Sequence, residues 1–234
     1  MPVDAVDACT DWTVRERPFH LHHTYTAFTD AAGGTGSDSF TLAVAHKEGD
    51  KIILDVLRER KPRFVPANVV AEFCELLRSY RIAEVTGDRF SGGWCASEFK
   101  RHDIKYKASE KSKSELYLAA LPLMLSGRAV LLDDATLRRQ FSVLERQVHA
   151  GNRESVDHRS GRHDDLANAA VGALVMATAP RGVVRVATWN WHSDAKVSLV
   201  DVRPRPHRNL VIRDITQAGA HEMLKTGEMM KVPQ

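Results

Sequence analysis

Three acidic positions stand where the chain changes element. "TYTAFTD" ends on Asp30, "IAEVTGD" ends on Asp88, and "HDDLANAAVGALVMATA" opens with Asp164 and Asp165. If the first and fourth predicted strands are neighbours, their ends bring Asp30 and Asp88 together. A helix packed across that end then adds a third or fourth carboxylate. Such a cluster repels itself unless a cation neutralises it. Hard divalent ions with oxygen ligands do this, and Mg²⁺ or Mn²⁺ is the natural occupant. Two ions about 3.5–4 Å apart activate a water and stabilise the leaving oxygen in phosphodiester cleavage. Each acid also has a plainer reading. An aspartate before Gly-Gly forms turns, and one at a helix start is an N-cap worth about 0.5–2 kcal/mol. The Asp164–Asp165 pair offers one acid for each task. Position alone leaves both readings open.

Other side chains lie near these boundaries. His163 precedes the acid pair and is placed to ligate metal, orient water or touch phosphate. Asp38, beyond the glycine turn, supports the site or caps the next strand. Asp157 and His158 in "VDHRSG" read as second-layer support or as an exposed loop pair. Lys111 and Lys113 flank Ser112 at a helix start, where backbone amides and ammonium groups hold phosphate; a solvated basic turn is the alternative. Arg89 follows Asp88 and is a DNA-gripping candidate or a carboxylate partner. "HLHH" (His20 to His23) has the composition of a metal cluster, but adjacent histidines on an extended segment point apart, so it reads as surface. Phe90 and Trp94 read as core or loop anchors rather than base-stacking platforms.

The elements that must position these residues follow from periodicity. "TYTAFTD", "FTLAVAHK" and "KIILDVLRE" alternate as strands and are joined by glycine turns, which predicts an antiparallel meander. "PANVVAEFCELLRSY" has helical spacing and Pro66 in its first turn. "IAEVTGD", "IKYKAS" and "AVLL" are short strands, and "GWCASEFKRH" is a short helix. "KSKSELYLAALPLMLSG" starts with a Ser112-x-x-Glu115 capping box and ends in Gly127. "DATLRRQFSVLERQ" reads as a helix and "ESVDH" as a short extended piece. "HDDLANAAVGALVMATA" is the last helix, ended by Pro180. Strands in a meander followed by alternating helix and strand predict a mixed α/β sheet covered by helices. Residues 1–22 read as a lead-in segment and residues 23–180 as the domain. Residues 181–234 read as a C-terminal extension in which "VVRVATW" and "NLVIRDI" have strand character.

Bulk properties narrow the class. The 234 residues are 43% hydrophobic and 27% charged, values that suit a globular protein with a sizeable core. The formal net charge is only +3, so any nucleic-acid surface is a local patch. Cys9, Cys74 and Cys95 lie far apart without a CxxC pair, which excludes a disulfide framework or cysteine-rich zinc site. The start lacks a signal-peptide pattern, and no apolar run reaches a membrane span. A cytoplasmic protein is expected.

"TAFTDAAGGTGSDSFTLAVAH", "VTGDRFSGGW", "ASEKSKSELYLAALP" and "VDHRSGRHDDLANAAVGAL" resemble the nuclease domain of the large terminase subunit of tailed phages and prophages. The resemblance covers residues 24–178, with the motifs in the family's order. It implies the ribonuclease H-like fold, which is shared with Holliday-junction resolvases and retroviral integrases. It also implies a double-stranded DNA endonuclease using two Mg²⁺ or Mn²⁺ ions. The family's first-strand acid falls on Asp30, its later strand-end acid on Asp88, and its helix acids on Asp164 and Asp165. Ala31 and Ala32 stand where the family more often has proline and serine, which changes the turn but not a ligand. The implied partners are duplex DNA, a packaging ATPase, the small terminase subunit and the portal protein, in the cytoplasm of a bacterial host. The sequence has no G-x-x-x-x-G-K-[ST] loop, because "GGTGSDS" lacks the lysine. It therefore reads as a nuclease part without its motor, whether a fragment, a split gene or a decayed prophage copy. Two rivals stand beside this reading: a junction resolvase or transposase-like enzyme of the same fold, and a non-catalytic docking module of the packaging complex.

Overall fold

The computed structural model describes residues 1–88, 92–149, 153–158 and 163–179, together with three strands further along the chain. Met1–Ala179 forms one compact unit. The segment 1–22, expected as a lead-in, contributes to this unit. Helix α1 (Val3–Cys9) buries Val6 and Cys9, and the two-residue strand β1 (Thr10–Asp11) extends the sheet.

The meander forms as the alternation predicts. Strands β2 (Tyr25–Asp30), β3 (Phe40–Glu48) and β4 (Lys51–Arg60) pair antiparallel in sequence order. Helix α2 (Pro66–Ser79) follows with proline in its first turn and Val69, Val70, Phe73, Cys74 and Leu77 buried. Next come β5 (Glu84–Gly87), α3 (Gly92–Arg101) and β6 (Lys105–Ala108). Helix α4 (Lys113–Leu125) begins with the expected capping box: the Ser112 amide donates to Glu115 Oε2 at 2.7 Å, and Ser112 Oγ accepts from the Glu115 amide. Strand β7 (Ala129–Leu132) and helix α5 (Ala135–Ser142) follow. The helix expected to continue to residue 147 stops at Ser142. Strand β8 (Leu144–His149) instead pairs antiparallel with β9 (Arg153–His158). Helix α6 (Asp165–Thr178) completes the unit.

The seven-stranded sheet has the order β1-β7-β4-β3-β2-β5-β6. Strand β2 is antiparallel to β3 and parallel to β5, and β4 is parallel to β7, so the sheet is mixed. Strand alternation sends Phe28 into one core, with α1, α4, α5 and α6, while Ala27 joins Phe40, Phe73, Leu77 and Phe99 in the other. Helix α6 is almost wholly buried, which explains its run of alanines. Gly172 lets it close onto the sheet: a Cβ there would stand 2.2 Å from the Phe28 ring. The three cysteines are buried and free. Among the described residues, no helix is long and apolar enough to cross a membrane.

Pro180–Gln234 forms a second unit. Its strands β10 (Val184–Thr188), β11 (Val197–Val202) and β12 (Ile212–Ile215) make an antiparallel sheet in that order. The first and last fall in the two stretches with strand character, and β11 was not expected.

Candidate active site

Parallel pairing of β2 with β5 sets Thr29 opposite Gly87, and the Asp88 amide donates to the Thr29 carbonyl at 3.3 Å. Asp30 and Asp88 therefore leave adjacent strand ends side by side, since the first and fourth predicted strands are neighbours. Helix α6 packs across β2, β3 and β4. Its start delivers Asp165 to the same place, where Asp30, Asp88, Asp165, Asp38 and Lys113 line a cleft of about 330 Å³. The rest of the wall is the turn Ala31 to Gly34 with Gly36 and Ser39. At Gly34 φ is +83°, and a Cβ would lie 2.3 Å from the Phe64 carbonyl oxygen, so this turn needs glycine there.

Each acid is held differently. Asp30 Oδ2 accepts from Asn168 Nδ2 at 2.7 Å. Burial pushes the Asp30 carboxyl up to about 7, against the Asn168 hydrogen bond; Asp165 and Asp88 raise it further, and Lys113 opposes them. Asp165 Oδ2 accepts from the Ser39 amide at 2.8 Å, and its carbonyl accepts from Thr41 Oγ1 at 2.9 Å. Burial also raises the Asp165 pKa, with Asp38 and Asp164 adding to the effect and the Ser39 amide and His163 opposing it.

Asp164 occupies the N-cap position of α6, yet its side chain makes no capping hydrogen bond. The division of labour expected for the pair, one acid capping and one facing a metal, is not what forms. Asp164 is 1% exposed and lies behind the cleft, where Oδ1 meets Lys113 Nζ at 2.5 Å and Oδ2 accepts from the Tyr117 hydroxyl at 2.8 Å. Complete burial beside Asp164 holds the Tyr117 pKa well above its ordinary value, so the phenol stays a donor.

Lys113, expected to face phosphate, thus turns its ammonium to Asp164, whereas Lys111 is exposed on the turn before α4. His163 Nδ1 lies 3.5 Å from Asp38 Oδ1, and one ligand atom each of Asp38, His163 and Asp165 fall within 4.8 Å of one another. Arg89 and Phe90 lie outside the described residues. Asp157 and His158 fall on β9. Trp94, read as a core or loop anchor, lies instead on α3 and is exposed, with its ring edge-on to Phe40.

Sequence reasoning missed Asn168, Tyr117 and Ser39. Asn168 had a signal: Asp165 and Asn168 are three apart on α6, so they lie on the same side of the helix. Tyr117 and Ser39 had none, because their contacts span 47 and 126 residues.

The family model described as "Terminase RNaseH-like domain" matches residues 27–177, well over half the chain. Among solved structures, the large terminase nuclease from thermophilic phage G20c with bound magnesium superposes with a TM-score of 0.57. It is 21% identical, covering 68% of this chain and 84% of that one. The nuclease domain of the large terminase subunit gp2 of bacterial virus Sf6, with manganese, gives 0.58 at 10% identity, covering 78% and 99%. The HK97 bacteriophage large terminase gives 0.56 at 15% identity, covering 74% of this chain and 43% of that one. No protein of curated function matches the sequence significantly. The mixed sheet, the helix crossing it and the matched span agree: the chain has a ribonuclease H-like fold and belongs to the terminase RNase H-like domain family.

Proposed function

We propose that this chain is a divalent-metal-dependent endonuclease that cuts double-stranded DNA during phage genome packaging. The convergence of Asp30, Asp88 and Asp165 on one cleft carries the reading. The donor set fits Mg²⁺ or Mn²⁺: carboxylate oxygens predominate, and the nearby ammonium of Lys113 is engaged with Asp164. Burial first, then the neighbouring Asp165 and Asp88 carboxylates, push the Asp30 carboxyl up to about 7, and a bound cation would favour its charged form.

Asp30, Asp88 and Asp165 would hold two ions, with Asp164 fixing the helix start behind them. When bound, such ions stabilise charge on a phosphoryl oxygen and lower the pKa of an attacking water. The protein supplies orientation. Asn168 directs Asp30, the Ser39 amide directs Asp165, and Lys113 with Tyr117 anchors Asp164. Asp38 and His163 flank Asp165 as support. Lys111 is the phosphate-facing candidate on the described surface; contacts of that kind position DNA without reading its sequence. A packaging ATPase, the small terminase subunit and the portal protein are the partners in this reading, in a bacterial cytoplasm.

Supercoiled plasmid with Mg²⁺ or Mn²⁺ is the test. Linear product in either metal and none in EDTA supports the proposal. Preference for four-way junctions over linear duplex would favour a resolvase. A folded protein that cuts nothing, yet binds a packaging ATPase, would be a docking module.

A further inference from the structure

A second group of metal-ligating side chains lies at the other end of the central strands. His46 on β3 pairs in register with Tyr25 at the start of β2, whereas Asp30 at its end pairs with Thr41. Five residues of strand separate the two pairs, roughly 17 Å along the sheet.

His46 is 3% exposed, and its Nδ1 lies 2.7 Å from Asp55 Oδ2. Its Nε2 is buried and has no hydrogen-bond partner among the described residues. The sheet register explains how Asp55 reaches the ring. Val44 pairs with Val56 and Ala45 with Leu54, so Asp55 is the extra residue of a β-bulge. Bulges re-aim side chains, and this one turns a carboxylate that is 1% exposed onto an imidazole. With Nδ1–H donating to that carboxylate, Nε2 carries a lone pair. Leaving a buried acceptor unpaired is costly. A carboxylate-held imidazole is also the common support for a metal-bound histidine.

Two further residues with metal-ligating side chains lie beside His46. The His23 ring centroid is 4.1 Å from that of His46, and one ligand atom each of His23, His46 and Glu48 lie within 4.8 Å of one another. The sequence suggested that "HLHH" is extended, with its rings apart. Instead the segment turns, the His23 amide donating to the His20 carbonyl at 3.1 Å, and the His20 ring comes within 4.9 Å of His23.

We propose that His23, His46 and Glu48 form a second metal site, for a transition-metal cation of the Zn²⁺ class, with Asp55 as its positioning residue. Two imidazoles and one carboxylate suit Zn²⁺, whereas Mg²⁺ prefers an all-oxygen shell. A tetrahedral ion completes its shell with solvent or with His20 from the same turn. The ion ties the segment before β2 to the end of β3, so its role is structural and independent of the acidic cleft.

The test uses the full chain with Mg²⁺ in excess, because a transition metal also competes for the carboxylates. Zn²⁺ titration followed by calorimetry gives stoichiometry and affinity, and the Co²⁺ absorption spectrum reports nitrogen ligation. One high-affinity Zn²⁺ per chain is expected, retained by Asp30→Asn, with a higher melting temperature. His23→Ala and Glu48→Gln, both at accessible positions, should each weaken Zn²⁺ binding about tenfold or more. Asp55→Asn should weaken it about 10–100-fold. Plasmid cutting in Mg²⁺ should not change in His23→Ala. Absence of high-affinity Zn²⁺ binding to the wild type would overturn the proposal. So would Zn²⁺ affinity that falls in Asp30→Asn and survives in both His23→Ala and Glu48→Gln.

Discussion

Asp30 sits at a half-buried strand end among other acids, and its chemistry without metal differs from its chemistry with it. Folding raises its pKa to about 7. The native state therefore keeps a proton that the unfolded chain gives up at the ordinary value of 3.8. The associated stability is fully present below that value and is lost as pH rises towards 7. Melting of the metal-free protein should carry this loss across the same window. Asp30→Asn should flatten it and melt higher than the wild type at neutral pH. Thermal melts in EDTA across that range check this, and superimposable profiles would contradict it. Asp164 poses the opposite problem, a buried carboxylate that depends on Lys113 and Tyr117. Lys113→Met strands that charge and should cost about 3 kcal/mol at neutral pH. Adding Asp164→Asn should recover most of it, and a denaturant double-mutant cycle measures the coupling. The acids themselves were legible because each closes or opens an element. Their supports were not, since Lys113 and Tyr117 reach Asp164 only through the packing of α4 against α6.

At the scale of elements, α6 decides whether the cleft exists, because it carries Asp165 and Asn168 across three strands. Its approach depends on Gly172 against Phe28. Gly172→Ala forces a methyl into that ring and should destabilise the fold by about 1–3 kcal/mol, despite the better helix propensity of alanine. Chemical denaturation checks the sign, and an unchanged or raised stability would contradict this packing. The meander, α2 and the α4 capping box were readable because their signals are local: alternation, a first-turn proline, and a serine three residues before a glutamate. The end of α5 was not. Leu137, Phe141 and Leu144 keep helical spacing across Val143, so only pairing with β9 turns the chain into β8. Likewise α1 and β1 are short and owe their form to contacts with α4, α5 and β7.

For the molecule as a whole, a net charge of +3 means that the DNA binding proposed above would rest on a local surface. Lys111 is the described candidate, while Lys113 is committed to Asp164. Each phosphate contact contributes about −0.9 to the salt slope on duplex DNA. Lys111→Ala should therefore weaken binding similarly for unrelated sequences and flatten the slope by about that amount. Titrations at several salt concentrations, with Ca²⁺ in place of Mg²⁺, measure both; an unchanged slope would place the DNA on another face. Family membership was legible over residues 24–178 because the motifs keep their order, and the matched span of 27–177 agrees. The second unit carried no such motif; the strand character of two stretches marked β10 and β12, while β11 (Val197–Val202) between them was not read. The proposed cutting activity depends above all on the acidic cleft. Plasmid cutting by folded Asp30→Asn beside the wild type, in Mg²⁺ and in Mn²⁺, tests it most directly. Cutting by the wild type in at least one metal, none in EDTA, and none by the variant is the predicted result. Undiminished cutting by a folded Asp30→Asn protein would contradict it.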